Sequence, residues 1–350
     1  MQARFIAIAL ASWGIMVVTP GFSATWTVSG LKVEAKLAAV YGPLALLLHA
    51  NSTSLVRLDT LDDAGLAQVS THLASVDRDP VPWSASKSPI ATAVRNRLVS
   101  WNGTKLVPWS PGTRPEPEFY LVYFSASWCG PCRKFTPTLI EAYRALKQNP
   151  DLADRFELVF VSNDRDSSEQ SNYVREAGMP WPVVAYSQLK RLPALERWAG
   201  RGIPCLVALN RDGNLLYHSY QGDTYLGPDH VLSRFRQLLP LLDDRTPATR
   251  LARHPLAVYE HVQSKTTGEQ PAAPYLCQLN ATTYRKLDTR TFEAQVQIDA
   301  RGRVTAVETD PRLPAVYAEQ FERDAMEWRF LPRVVDGQAA PTTARIPVEL

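Results

Sequence analysis

The chain has 350 residues, enough for two or three domains at about 150 residues each. Its 45% hydrophobic and 21% charged content is that of a globular protein and excludes wholesale disorder. A formal net charge of +3, with no concentrated run of Lys or Arg, excludes a general nucleic-acid binder, and four cysteines exclude a disulfide-stapled mini-scaffold.

In chain order, Met1 to Arg4 is a short basic start, Phe5 to Val18 is apolar and uncharged, and Pro20, Gly21, Ser23 and Ala24 follow. This pattern predicts a secretory signal peptide over 1–24, cut near Ser23 or Ala24. An uncleaved N-terminal membrane anchor is the rival reading, although the apolar stretch is shorter than the roughly 20 residues that span a bilayer. Either way the protein is expected outside the cytoplasm, in the periplasm or otherwise exported, where disulfides persist. Residues 25–80 read as short strands (Trp26–Val28, Leu31–Ala39, Leu44–His49, Leu55–Leu58) and a helix over Asp62–Val76, predicting a small β-rich domain, barrel or sheet. The prolines of 81–118 predict a semi-rigid connector.

From Phe119 the pattern changes. Phe119–Ser125 is a continuous apolar strand signal of the kind buried on both faces, and Phe156–Ser162 reads as a second buried strand. Cys132–Lys147 has helical periodicity, Ser167–Ala177 is helix-like, and Val183–Tyr186 is a short strand. Pro204–Asn210 and Leu215–Ser219 flank the turn signal Asp212-Gly213, and Pro228–Leu241 closes with a helix. Alternating strands and helices predict an α/β domain over 119–242. A polar connector covers 243–290. A last module, 291–350, has strands at Phe292–Ile298, Val304–Val307, Arg329–Val334 and Ala344–Leu350 and a helix at Ala315–Trp328.

The chemistry-bearing motif is Trp128-Cys129-Gly130-Pro131-Cys132, set between a strand and a helix. At a helix N-terminus, unpaired backbone N–H groups and the helix dipole favour a thiolate, which lowers a cysteine pKa. Pro131 suits the first helical turn, where no N–H is lost. Cys129 is therefore expected to be the exposed attacking thiolate and Cys132 the sheltered resolving thiol. Two other readings stand beside this one. A zinc site would need further ligands such as Cys205 and Cys277; a purely structural Cys129–Cys132 disulfide would close so short a loop that it gains little. No metal or organic cofactor is expected. His218, His230, His254 and His261 show no ligand grouping, and Asn51, Asn102 and Asn280 head glycosylation-type triplets, read as chance matches if the source is bacterial.

The run Tyr123 to Pro137 resembles the thioredoxin superfamily, in particular its tryparedoxin and nucleoredoxin branch. Phe160-Val161-Ser162-Asn163-Asp164-Arg165, Met179-Pro180-Trp181-Pro182 and Gly202-Ile203-Pro204 extend the likeness over about 95–240. The resemblance implies a thioredoxin-like α/β fold, a cis Ile203–Pro204 bond facing Cys129, and substrate binding by Trp128, Gly130, Pro131, Ile203 and Pro204, with the Ile203 backbone pairing with the bound strand. It also implies exchange with protein thiols and disulfides, with a membrane electron donor or acceptor upstream. Tyr123 stands where thioredoxins proper carry a buried Asp, which leaves the proton acceptor for Cys132 unassigned. Cys205, directly after Pro204, is either a third redox thiol or a buried strand residue. Trp181 is either rim or core. The 25–80 segment is similar to the small barrel that precedes thioredoxin-like domains in exported bacterial proteins. Residues Val296 to Val304, Ala325 to Pro332, Asp336-Gly337 and Ile346-Pro347-Val348 resemble the C-terminal domain of TonB-type transducers, an α+β fold. This implies a docking or self-associating module, with a passive structural domain as the alternative. The contrasting whole-protein reading is a non-enzymatic or redox-regulated adaptor that binds partners through the thioredoxin-like platform and this module.

Overall fold

The computed structural model describes residues 24–76, 80–243, 245–280, 282–287 and 291–349. All but the last residue of the 1–24 signal segment lies outside them. The described residues divide into two compact units. One is drawn from Leu48–Ser54 and Asp77–Pro240, and the other from Gly21–Leu47, Leu55–Val76 and Leu241–Leu350.

Every residue of Phe119–Ser125 and of Phe156–Ser162 is buried, so neither strand shows the alternation of a half-exposed sheet. They pair in parallel, and Phe119–Ser125 also pairs antiparallel with Cys205–Asn210. The full sheet has seven strands in the order Leu215–His218, Cys205–Asn210, Phe119–Ser125, Phe156–Ser162, Val183–Val184, Leu98–Trp101, Leu106–Pro108. Successive side chains of the central strand face opposite ways. Tyr120, Val122 and Phe124 join a core with Ile90, Val159 and Val207. On the alternate positions, Phe119 stacks edge-on to Phe235 and Tyr123 to Phe135. The Gly130–Gln148 helix buries Cys132, Phe135, Thr136, Leu139, Ile140, Ala142 and Tyr143, the three- and four-residue spacing of one helix face. Each large apolar side chain so buried contributes about 1.5–3 kcal/mol.

Residues 81–118, whose prolines predict a connector, carry the helix Pro89–Val94 and the strands Leu98–Trp101 and Leu106–Pro108, which extend the seven-stranded sheet. The sheet edge tolerates Pro108, since an edge strand leaves one row of N–H groups unused.

Mostly within the other unit, Ala24–Val28, Leu31–Tyr41, Leu44–Leu48 and Thr53–Arg57 form a four-stranded sheet in sequential order, with the helix Asp63–Ser75. Of the two forms the sequence allowed, barrel or sheet, this is the sheet, open and not a closed barrel: among the described residues Ala24–Val28 and Thr53–Arg57 are its two edges. Residues 243–290 hold the helix Pro247–Gln263, whose Leu256 joins the core of Trp26, Leu47, Leu58 and Val69. The same helix contributes His254, whose Nε2 lies 2.7 Å from the Phe330 carbonyl. Thr291–Ile298, Val304–Glu308 and Thr342–Glu349 form a three-stranded antiparallel sheet, its buried side lined by Phe292, Val296 and Ile298 against Phe321 of the helix Ala315–Met326.

Burial holds the His254 imidazole below the ordinary histidine pKa, outweighing the pull of the Phe330 carbonyl toward the charged form. A histidine whose folded pKa is depressed favours the fold while neutral. That contribution is fully present above its unfolded pKa and is lost as pH falls through that value toward the folded one. The thermal midpoint of the wild type is therefore expected to fall between about pH 7.5 and about pH 5. The fall should be shallower in His254→Gln, measured by circular dichroism melts across that range.

Candidate functional site

The C-terminal end of the Phe119–Ser125 strand runs into Ala126, Ser127 and Trp128, and Cys129 then caps the Gly130–Gln148 helix. Cys129 has extended backbone angles, and its Sγ accepts the Cys132 N–H at 3.2 Å. Gly130 and Pro131 open the first turn, where Pro131 costs no intrahelical bond. Cys129 and Cys132 are joined by a disulfide. The Ile203–Pro204 peptide is cis, and the Ile203 carbonyl oxygen lies 3.7 Å from Cys129 Sγ.

Cys129 is 5% exposed and Cys132 not at all, so the first sulfur is less open than the expected exposed nucleophile. The cause is packing of Ala126 and Ile203 against the disulfide. A Cβ built at Gly130 meets nothing within 4 Å, so the approach over that residue is clear. Trp128, 53% exposed, donates its indole N–H to the Asn163 carbonyl at 3.2 Å.

The loop after Phe156–Ser162 fixes the cysteine loop. The Asp164 carboxylate accepts the Ser127 N–H at 2.6 Å and the Ser162 hydroxyl at 2.7 Å, and it is buried. Asn163 N–H donates to the Ser125 carbonyl at 2.8 Å. Beneath Cys132, the Thr136 hydroxyl donates to the Cys132 carbonyl at 2.9 Å and lies 2.9 Å from the Tyr123 hydroxyl and 2.7 Å from that of Tyr173. Burial pushes the Tyr123 phenol above its usual pKa, so this position supplies a neutral hydroxyl in place of a carboxylate.

Cys205 is buried beside Pro204, and burial pushes its thiol up to about 11. His218 Nε2 lies 3.9 Å from its sulfur. Nδ1 of His218 accepts the Tyr220 N–H at 2.9 Å, so Nε2 carries the proton and donates to the Trp198 carbonyl at 2.9 Å. That tautomer leaves no ring nitrogen to take the Cys205 proton. Trp181 is core, edge-on to Tyr143 at 5.4 Å between ring centroids. Cys277 is half-buried in the other unit, its thiol also pushed up to about 11, chiefly by burial. The described residues contain no group of three or more His, Cys, Asp or Glu side chains arranged to hold a metal ion.

The structure thus brings Trp128, Cys129, Gly130, Pro131, Cys132, Ile203 and Pro204 together, with Cys205 directly behind. Sequence reasoning gave no role to Asp164, although it lies inside a quoted motif, nor to Tyr220 and Tyr225, which touch the 200–204 loop.

Residues 117–215 match the family model described as Thioredoxin-like. Nucleoredoxin from Danio rerio is 32% identical over 232 residues, covering 65% of this chain and 53% of the relative. Tryparedoxin from Trypanosoma brucei brucei is 38% identical over 93 residues, covering 26% of this chain and 60% of the relative. The solved structure of tryparedoxin II from C. fasciculata is 32% identical, covers 29% of this chain and 63% of that one, and has a TM-score of 0.25. The chain spans about half the length of the nucleoredoxin it matches. It contains a thioredoxin-like domain, similar in sequence to nucleoredoxin and tryparedoxin.

Removing the Asp164 carboxylate strands the half-buried Ser127 N–H. Asp164→Ala is expected to cost about 2 kcal/mol in denaturant unfolding followed by tryptophan fluorescence. Asp164→Asn, which keeps an acceptor oxygen, should cost less than half of that.

Proposed function

We propose that the protein is an exported thiol–disulfide oxidoreductase that exchanges disulfides with protein substrates through Cys129 and Cys132. The observation that carries this reading is the Cys129–Cys132 disulfide at a helix N-terminus, with Cys129 against the Ile203 carbonyl and a cis peptide at Pro204. Thioredoxin-like relatives named nucleoredoxin and tryparedoxin support it.

In the reductive direction the reduced protein carries a Cys129 thiolate, stabilised by the helix N-terminus and by the Cys132 N–H. The thiolate attacks one sulfur of a substrate disulfide. A Cys129–substrate bond forms, the substrate S–S bond breaks, and the released sulfur takes a proton from water. Cys132 then attacks Cys129 Sγ and closes the intramolecular disulfide. The second substrate sulfur leaves, and the proton given up by Cys132 is matched by the one this sulfur gains. Two electrons pass from the cysteine pair to the substrate. In the oxidative direction the same steps run in reverse. A membrane partner on the exported side would restore the starting state. The neutral Tyr123 phenol does not take the Cys132 proton, which passes to water or to another side chain. Cys205, with its raised pKa and proton-bearing histidine neighbour, is read as a packing residue.

Export rests on the signal-like segment 1–24. The three-stranded sheet and single helix within 291–350 support reading that module as a protein-docking element, the TonB-like assignment of the sequence.

With dithiothreitol as electron source, the protein should reduce insulin. Cys129→Ser should lower the rate by at least about 100-fold, the scale of losing a catalytic nucleophile. Cys132→Ser should stall turnover with substrate trapped on Cys129, seen as a mixed disulfide on non-reducing gels. Unchanged activity in both variants would overturn the assignment.

A further inference from the structure

The loop that faces Cys129 is held by an element that the thioredoxin-like match over 117–215 does not include. Two two-residue strands, Tyr220–Gln221 and Thr224–Tyr225, pair antiparallel into a small hairpin. Its base is fixed: Leu226 and Gly227 N–H groups donate to the Ser219 carbonyl, and the buried Ser219 hydroxyl accepts the Leu206 N–H and donates to the Leu206 carbonyl. From that base the hairpin contacts residues 200–204 at several points. The Tyr225 hydroxyl donates to the Pro204 carbonyl at 2.8 Å. The Tyr220 ring fills the space where a side chain at Gly200 would stand: a Cβ there would lie 2.3 Å from the ring and 3.1 Å from Cys205 Sγ. Arg201 pairs with Asp223. The two tyrosine rings brace each other, 4.9 Å between centroids.

We propose that this hairpin is a clamp on the substrate-pairing loop, with Tyr225 as a positioning residue that holds the Ile203 backbone in register with Cys129 for polypeptide substrates. The inference rests on the exchange function proposed above. A backbone that is to pair with an incoming strand must be held before the strand arrives, because ordering it at binding is subtracted from affinity. Pro204 cannot donate a hydrogen bond, so the segment has one fewer backbone tether of its own. The hydroxyl of Tyr225 supplies a bond from outside. Tyr225 is also 47% exposed and Leu226 adjoins it among the exposed apolar residues, so the clamp presents apolar surface beside the paired segment. A polypeptide has side chains flanking its disulfide to cover that surface. A small disulfide has neither a strand to pair nor flanking side chains.

Tyr225→Phe removes the hydroxyl and keeps the ring. Loss of one such hydrogen bond is expected to raise KM for insulin about five-fold with kcat little changed. The ratio of kcat/KM for insulin to that for cystamine should fall by a similar factor. Amide hydrogen exchange across 200–206 should become about five-fold faster in the same variant, a readout that needs no turnover. Gly200→Ala, which wedges Tyr220 away, should reproduce both changes. A proportional loss for insulin and cystamine, or a fall in kcat alone, would make Tyr225 merely structural and overturn the proposal. Unchanged hydrogen exchange in Tyr225→Phe, with the wild type active, would overturn the clamp and leave the exchange function standing. A wild type that reduces neither substrate would overturn the exchange function and the substrate role of the clamp with it.

Discussion

The hydrogen bond from the Cys132 N–H to Cys129 Sγ is the constraint on which the site depends. It makes a sulfur the cap of a helix, in the place usually taken by a Ser, Asp or Asn oxygen. A helix start leaves several N–H groups without intrahelical partners, and they concentrate positive potential there. A sulfur serving as cap is worth more as an anion than as a neutral thiol. Under the proposed function, this backbone geometry would favour a thiolate at Cys129 once the disulfide is reduced, with no cationic side chain in the cap itself. Keeping that cap in place requires the strand–loop–helix junction to be rigid. Buried Phe119–Ser125 fixes one side of the junction, Asp164 the loop, and the Thr136 and Tyr123 hydroxyls the floor beneath Cys132.

The opposite wall is built differently. Residues 200–204 have little secondary structure of their own, and their position is imposed by neighbours: Tyr220 packing on Gly200, Tyr225 bonding to Pro204, and Ser219 bonding to Leu206 on both of its backbone groups. One wall is thus set by helix and sheet and the other by side-chain tethers from a hairpin. Under the proposed function, chemistry resides in the first wall and recognition in the second.

Much of this was legible in the sequence. The apolar run Phe119–Ser125 and the mostly apolar Phe156–Ser162 read as strands covered on both faces, and the periodicity of Phe135, Leu139 and Tyr143 selects one face of the Gly130–Gln148 helix. Cys129, Cys132 and Pro204 carry enough local chemistry to be singled out. What stayed hidden has physical causes. The strands within 81–118 are three or four residues long and lie in a proline-rich stretch, so they read as linker, yet a sheet edge accepts them. The 220–225 hairpin has two-residue strands, too short for any period, and only Gly222 marks its turn, with a positive φ of 58°. Asp164 looks like any loop aspartate until the Ser127 N–H is seen pointing at it. The N-terminal alternation cannot tell an open four-stranded sheet from a barrel, because closure depends on which edges meet and not on which residues face in.

The most direct test of the central claim is the pH dependence of Cys129 alkylation in the reduced protein, with Cys132→Ser to isolate the sulfur. A thiolate held by the helix cap should titrate at least about one pH unit below the value near 8.5 of a free cysteine. Titration at or above that free value would contradict the account.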